Sequence, residues 1–391
     1  MMLGIAVYPG LLPQFQAMWD LTNGEAGWVS GMFYAGYVIM VPPLVALTDL
    51  HDPRRIYIAG GLVTVISCIG FALFADGFWS AMLYRVLGGV GLAGTYMVGM
   101  RIMTDRTKGR AQSRAIAFYT ANYAIGQAVG IWLVGLLARH FDWEVSAYVA
   151  ACGALLTTLL VWLLVEPDTA QRSAAGWRHA LDLRPALRNR QALGFTLAYA
   201  CHGWELFAFR SFAVSFLAFC VAEGGRSLPF DLAPSDAAAL VFLLGLPASV
   251  LGNELGHRYG RQRMTFVVMW SSALVGIAVP LLALSSFWLL IPMLLLYGMT
   301  LTGDSSLLTG GAFAHALPGR QGATMAVHSI MGFAIAIPAP IVFGYLLDHG
   351  GGERDQSAWL LGFISLSVGA ALGPVLMRWL AGRPVAATAS G

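Results

Sequence analysis

Cys201-His202-Gly203-Trp204-Glu205-Leu206-Phe207-Ala208-Phe209-Arg210 stands in the middle of an apolar run from Leu193 to Val221. Crossing a bilayer as a helix takes about 20 such residues, so the run is long enough to span. His202, Glu205 and Arg210 therefore fall at membrane depth. Ionisable groups are costly in hydrocarbon; they normally face a cavity, find partners and mark a pathway. At ~1.5 Å per residue, Glu205 lies roughly 18 Å from the Leu193 end, a little past the middle of a ~30 Å core. His202 and Glu205, three apart, share a helix face. Arg210 points about 140° away from Glu205, so the two are expected to reach different neighbours across one cavity.

Composition extends this reading to the whole chain. Of 391 residues, 58% are hydrophobic and 11% charged, with mean hydropathy +0.69. A soluble domain carries about 25% charged residues. The deficit means that the outer surface faces lipid, which makes this a polytopic membrane protein. The 46 glycines and 12 tryptophans fit close helix approach and interfacial anchoring. A net charge of +3 reflects arginines gathered in loops and gives no sign of a nucleic-acid partner. Cys68, Cys152, Cys201 and Cys220 all sit in apolar runs without paired spacing and read as free thiols.

Twelve apolar spans emerge: Met2–Trp19, Glu25–Leu47, Ile56–Ala75, Trp79–Met103, Ala115–Ala138, Val145–Val165, Leu193–Val221, Asp236–Gly256, Met264–Leu284, Phe287–Ala314, Ala323–Leu347 and Ser357–Leu380. With the amino terminus inside, the inner loops collect Arg54, Arg55, Arg106, Lys108, Arg110, Arg172, Arg178, Arg184, Arg188, Arg190, Arg258, Arg261, Arg263 and Arg320. Only Arg139, Arg226 and Arg354 fall outside. That asymmetry places both termini in the cytoplasm. One long polar connection divides the chain. Residues 1–166 form an amino-terminal six-helix bundle, 167–192 a cytoplasmic linker loop, and 193–391 a carboxy-terminal six-helix bundle. The halves are alike: the loop at Asp49-Leu50-His51-Asp52-Pro53-Arg54-Arg55 recurs 208 residues later at His257 to Arg263, and Gly109-Arg110-Ala111-Gln112 recurs 210 residues later at Gly319-Arg320-Gln321-Gly322. Such offsets point to a duplicated unit in one orientation.

These features resemble the major facilitator superfamily over nearly the whole length. Gly252-Asn253-Glu254-Leu255-Gly256-His257-Arg258-Tyr259-Gly260-Arg261-Gln262-Arg263 is similar to its loop motif Gly-x-x-x-Asp-Arg-x-Gly-Arg-Arg, with His257 in the place of the acid. The first loop keeps Asp49, Arg54 and Arg55, and Asp52-Pro53 replaces the usual Gly-Arg. Arg85-Val86-Leu87-Gly88-Gly89-Val90-Gly91 resembles the fourth-helix pattern. Gly126-Gln127-Ala128-Val129-Gly130 resembles the fifth-helix glycine motif of the antiporter branches, without its Gly-Pro step. The resemblance implies two pseudo-symmetric bundles rocking around a midplane site lined by the first, fourth, seventh and tenth spans. It also implies a gate or latch at Asp49, Arg54, Arg55, Arg101, Glu254, Arg258 and Arg261, since an acid at one helix end can hold basic residues at the next in one state only.

Independently, the membrane-buried charges Arg85, His202, Glu205, Arg210 and Asp304 fall on the fourth, seventh and tenth spans. Glu205 reads as a proton carrier or as a structural partner of Arg210; His202 reads as a relay or a hydrogen-bonding histidine. Arg210 reads as the grip on a substrate anion or as a snorkelling cation. Arg85 reads as a counter-ion or as a packing contact with the first helix. Asp304 reads as a cavity carboxylate or as the partner of a basic residue near the inner mouth. His328 reads as structural. Trp204, Tyr34, Asn122 and Tyr123 are expected in the pocket wall, with Tyr8, Trp28, Tyr37, Tyr96, Tyr119 and Gln127 as further wall candidates. No metal set, cofactor motif or nucleophile constellation is present in the sequence. The expectation is a non-enzymatic secondary transporter, monomeric and multi-pass in a bacterial-type inner membrane. It moves a small organic or inorganic anion with protons. A proton-coupled drug or metabolite exporter is the alternative; a non-transporting sensor or a membrane enzyme is the remote one.

Overall fold

The structure, a computed structural model, describes residues 1–168, 183–318 and 320–381. The centre of the linker, with Arg172 and Arg178, lies outside the described residues, as do Gly319 and the side chains of Arg110 and Gln112. The described residues are helical apart from turns and caps, with no strand among them.

α1 (Leu3–Gly10) and α2 (Leu12–Trp19) form one pass broken at Leu11. α3 (Asn23–Leu47) opens on a capping box, in which Thr22 and Glu25 each accept the other's backbone N–H. α4 (Pro53–Phe74), α5 (Phe78–Arg106), α6 (Gly109–Ala138) and α7 (Trp143–Leu164) complete the first half. The short α8 (Arg184–Arg188) leads into α9 (Arg190–Gly224), which Gly225 ends in the left-handed conformation. α10 (Pro234–Leu243) with α11 (Gly245–Tyr259), α12 (Arg261–Leu281), α13 (Phe287–Gly303) with α14 (Ser305–Ala314), α15 (Gln321–Ala334) with α16 (Pro338–His349), and α17 (Gln356–Ala381) make the second half. Ten of these passes are long and apolar enough to cross a membrane; the α1–α2 pair and α6 bring the total to twelve.

Two of the breaks have a simple cause. A proline ring clashes with the carbonyl four residues back. α10 stops at Leu243, four before Pro247, and α15 stops at Ala334, four before Pro338. The tenth pass breaks at Asp304 with no proline nearby. Several helices also overrun the apolar spans. α6 begins at Gly109 rather than Ala115, and α9 runs from 190 to 224 rather than 193 to 221. Hydropathy marks the hydrocarbon, whereas backbone hydrogen bonding carries the helix on into the interface.

The halves meet along α3 against α16 and α6 against α10, with α1–α2 touching α9. At the first seam a Cβ on Gly27 would strike the Pro340 carbonyl, one on Gly31 the Ile337 carbonyl, and one on Gly344 the Asn23 carbonyl. Glycine is what allows main chain to meet main chain here. Both seams are pinned at the end where α3 and α10 begin. Asn23 donates its N–H and Nδ2 to Asp348 Oδ1 at 3.0 and 2.8 Å, and Gly24 N–H donates to Asp348 Oδ2 at 2.8 Å. Arg139 grips Asp236 with both nitrogens, at 2.5 and 3.2 Å. At the opposite end several polar contacts join helix ends of the same half. Arg101 pairs with Asp49 at 3.2 Å and with Asp105, Arg54 bonds the Trp162 carbonyl, and Arg261 contacts Asn253 and His257 at 3.1 Å. Asp49, Arg54, Arg101 and Arg261 of the expected latch thus hold neighbouring helix ends together within each half; Arg55, Glu254 and Arg258 are exposed.

These pins predict an opening experiment. In Asp348→Ala combined with Arg139→Gln, the lost cross-seam bonds amount to about 2 kcal/mol after allowing for solvent exposure, roughly a 30-fold change in population. Spin labels at Asp20→Cys and Arg354→Cys, with the native cysteines replaced, should report a new longer distance across this face. An unchanged distance distribution would show that the pins do not hold the seam.

Candidate functional site

Helix α9 turns two charged groups to opposite sides. Arg210 is 8% exposed and points at the seam, where its guanidinium lies 5.9 Å from the Tyr123 ring centroid of α6 and 5.6 Å from that of Phe242 on α10. Among the described residues it has no carboxylate partner within ion-pair distance. Around it the two halves contribute rings. Tyr34 of α3 stands 4.7 Å from Phe207 of α9, and Phe333 of α15 stands 5.5 Å from Phe207 and 4.8 Å from Tyr37. Tyr96 of α5 stands 5.6 Å from Tyr123. The Tyr37 hydroxyl is buried without a hydrogen-bond partner, and the Tyr123 hydroxyl and Gln127 Nε2 are buried within reach of each other without a hydrogen bond of standard geometry. Cation–π contacts return about 0.5–2 kcal/mol, whereas drawing an ion out of water costs several. The rings alone leave Arg210 under-compensated, and an arriving anion would recover the difference.

The opposite side of α9 faces the second half. Glu205, 1% exposed, accepts a hydrogen bond from Ser272 Oγ of α12 at 2.8 Å. The Tyr297 hydroxyl of α13 is also buried, without a hydrogen bond of standard geometry. One turn earlier His202 Nδ1 stands 2.8 Å from Asp304 Oδ1, both side chains sealed from solvent. Asp304 occupies the break between α13 and α14 and is buried. Tyr199 stacks between His202 at 5.4 Å and His328 at 4.1 Å, and the two nitrogens of His328 lie 3.4 Å from Thr196 Oγ1 and 3.2 Å from Thr309 Oγ1. Titratable groups therefore gather in the second half around Tyr199, His202, Asp304 and Glu205, with Tyr199 also within electrostatic reach of Arg210.

The structure brings Tyr34, Tyr123 and Arg210 together, and His202 with Asp304. Glu205 and Arg210 form no pair. Trp204 donates to the Ser365 carbonyl of α17 at 3.1 Å, away from the seam, and Asn122 is exposed on α6. Arg85 contacts the carbonyls of Ile5, Gly4 and Val29 at 3.3–3.5 Å and lies over Phe33 at 4.5 Å. The space that it borders, about 30 Å³, takes one or two waters and no solute. Phe207, Phe242, Phe333 and Ser272 escaped the sequence reading. An aromatic or serine in an apolar run carries no mark of which helix it will face.

Two six-pass halves around a charged seam agree with the comparison of sequences. The sequence model of the Major Facilitator Superfamily matches residues 1–303. The chain belongs to that superfamily. This major facilitator is 22% identical over 331 residues to a predicted metabolite transport protein of Haemophilus influenzae, covering 81% of this chain and 75% of the relative. It is 23% identical to spinster homolog 1 of Bos taurus, covering 65% of this chain and 50% of that relative's length. The fold of the nucleoside transporter NupG superposes with a TM-score of 0.76 at 16% identity, covering 96% of this chain and 97% of that one. Like its superfamily, the protein is a multi-pass membrane transporter for small solutes rather than an enzyme.

Proposed function

We propose that this transporter is a secondary active carrier of a small anion, working by alternating access and driven by protons. It sits as a monomer in a bacterial-type inner membrane, with both termini cytoplasmic and the boundaries between its halves at residues 166 and 193. The observation that carries the reading is Arg210, a buried cation at the seam between the halves with aromatic faces and, among the described residues, no acid against it. Glu205, His202 and Asp304 supply the proton-binding side, and their place on the other flank of α9 and on α13–α14 would let helix movement couple the two. The basic residues in the loops at one end support the orientation.

The aromatic walls favour a second reading, export of an amphipathic drug or metabolite. The named relatives include a nucleoside transporter, whose substrates carry a planar ring. Thermal stabilisation of the purified protein separates these readings, because melting temperature rises with ligand concentration over its dissociation constant. Acetate, benzoate, sulfate, phosphate and tetraphenylphosphonium form the panel. At least one anion should raise the melting temperature in wild type and fail to do so in Arg210→Gln. Stabilisation by the cation alone would replace the anion carrier with the exporter.

A further inference from the structure

The seam site is more selective than a general anion pocket. Among the described residues the Arg210 guanidinium meets no acid, the Tyr37 hydroxyl is buried without a partner, and the Tyr123 hydroxyl and Gln127 Nε2, which lie within reach of each other, make no hydrogen bond of standard geometry; each of these groups has an N–H or O–H to donate. The remaining surface is ring. Tyr34, Tyr37 and Phe207 are buried, whereas Tyr96, Tyr123 and Phe333 are part-exposed. Phe333 lies at the hub, 4.8 Å from Tyr37, 5.5 Å from Phe207 and 6.5 Å from Tyr123.

Resting on the anion reading above, we infer that the solute is a planar aromatic acid, one ring system carrying a single carboxylate or sulfonate. The head group would meet the guanidinium fork with two hydrogen bonds, with the Gln127 amide as a further donor. The ring would stack in the offset or edge-on geometry that the part-exposed aromatics offer. Other solutes fit worse. A compact hydrophilic anion turns its spare oxygens towards the negative faces of the rings. A dianion needs a second cation, and Arg85 is engaged with the carbonyls of the first pass and of α3. A neutral ring leaves the guanidinium uncompensated, and a cation is repelled by it.

The test measures thermal stabilisation of the full chain in lipid nanodiscs by benzoate, 2-naphthoate, benzenesulfonate, benzamide, acetate and sulfate at equal concentration. The three aromatic anions should raise the melting temperature, with 2-naphthoate giving the largest shift, and the other three should not. Phe333→Ala should weaken benzoate binding about 3- to 10-fold, which corresponds to the ~0.5–1.5 kcal/mol of one ring pair, and Phe333→Tyr should restore it. If acetate or sulfate stabilises as strongly as benzoate, and Arg210→Gln removes the effect, the anion carrier stands and the aromatic specificity is overturned. If benzamide matches benzoate regardless of Arg210, or no anion binds, both are overturned.

Discussion

Arg210→Gln should cut benzoate affinity by roughly 30- to 140-fold, because about 2–3 kcal/mol of charge-assisted hydrogen bonding disappears with the guanidinium. Arg210→Lys should fall between, since it keeps the charge and loses the fork. The sign of the accompanying stability change separates binding from structure. A structural ion pair, once broken, strands its partner and destabilises the fold by about 3–5 kcal/mol. Arg210 has no acidic partner among the described residues to strand, and its removal takes an under-compensated charge out of the interior. The ligand-free variant should therefore melt at or above the wild-type temperature while losing the ligand. A variant that melts far lower, and binds as poorly when refolded, would show that the guanidinium holds the fold.

Glu205→Gln should leave anion binding intact and abolish proton-driven accumulation. The substitution is nearly isosteric, and its amide oxygen still accepts from Ser272, so folding is preserved. What is lost is a group able to gain and release a proton on the flank of α9 away from the anion. In proteoliposomes, a gradient of about 1.5 pH units stores about 2 kcal/mol per proton, enough for roughly 30-fold accumulation at one proton per anion. Labelled benzenesulfonate suits the assay, because a permanently ionised acid does not cross lipid unaided. Wild type should concentrate it, and the variant should only equilibrate it. Concentration that persists in Glu205→Gln assigns the proton to the Asp304–His202 pair instead, and Asp304→Asn then becomes the variant that stops it.

The sequence made the architecture legible because lipid selects composition: twelve apolar runs and one-sided arginines follow from the solvent around the chain. The helical wheel also separated Glu205 from Arg210, since that angle depends only on spacing along one helix. Partners across helices were hidden. Ser272 looks like any small residue in a membrane helix, and Phe333 like any lipid-facing ring. Arg139 and Asp236 were visible only as a loop cation and a span end, although they are joined in the structure. Prolines were ambiguous for a related reason: Pro247 and Pro338 end helices four residues upstream, whereas Pro292 lies within the unbroken α13. Nothing local distinguishes them, because the surrounding packing decides whether a missing hydrogen bond is tolerated.

Main chain rests on main chain at Gly27, Gly31 and Gly344, and such a join has no rotamers to flip. A gate built of side chains can leak by the excursion of one group. Along α3 and α16, parting requires the two main chains to separate together, so that seam opens as a unit and not by the excursion of one side chain.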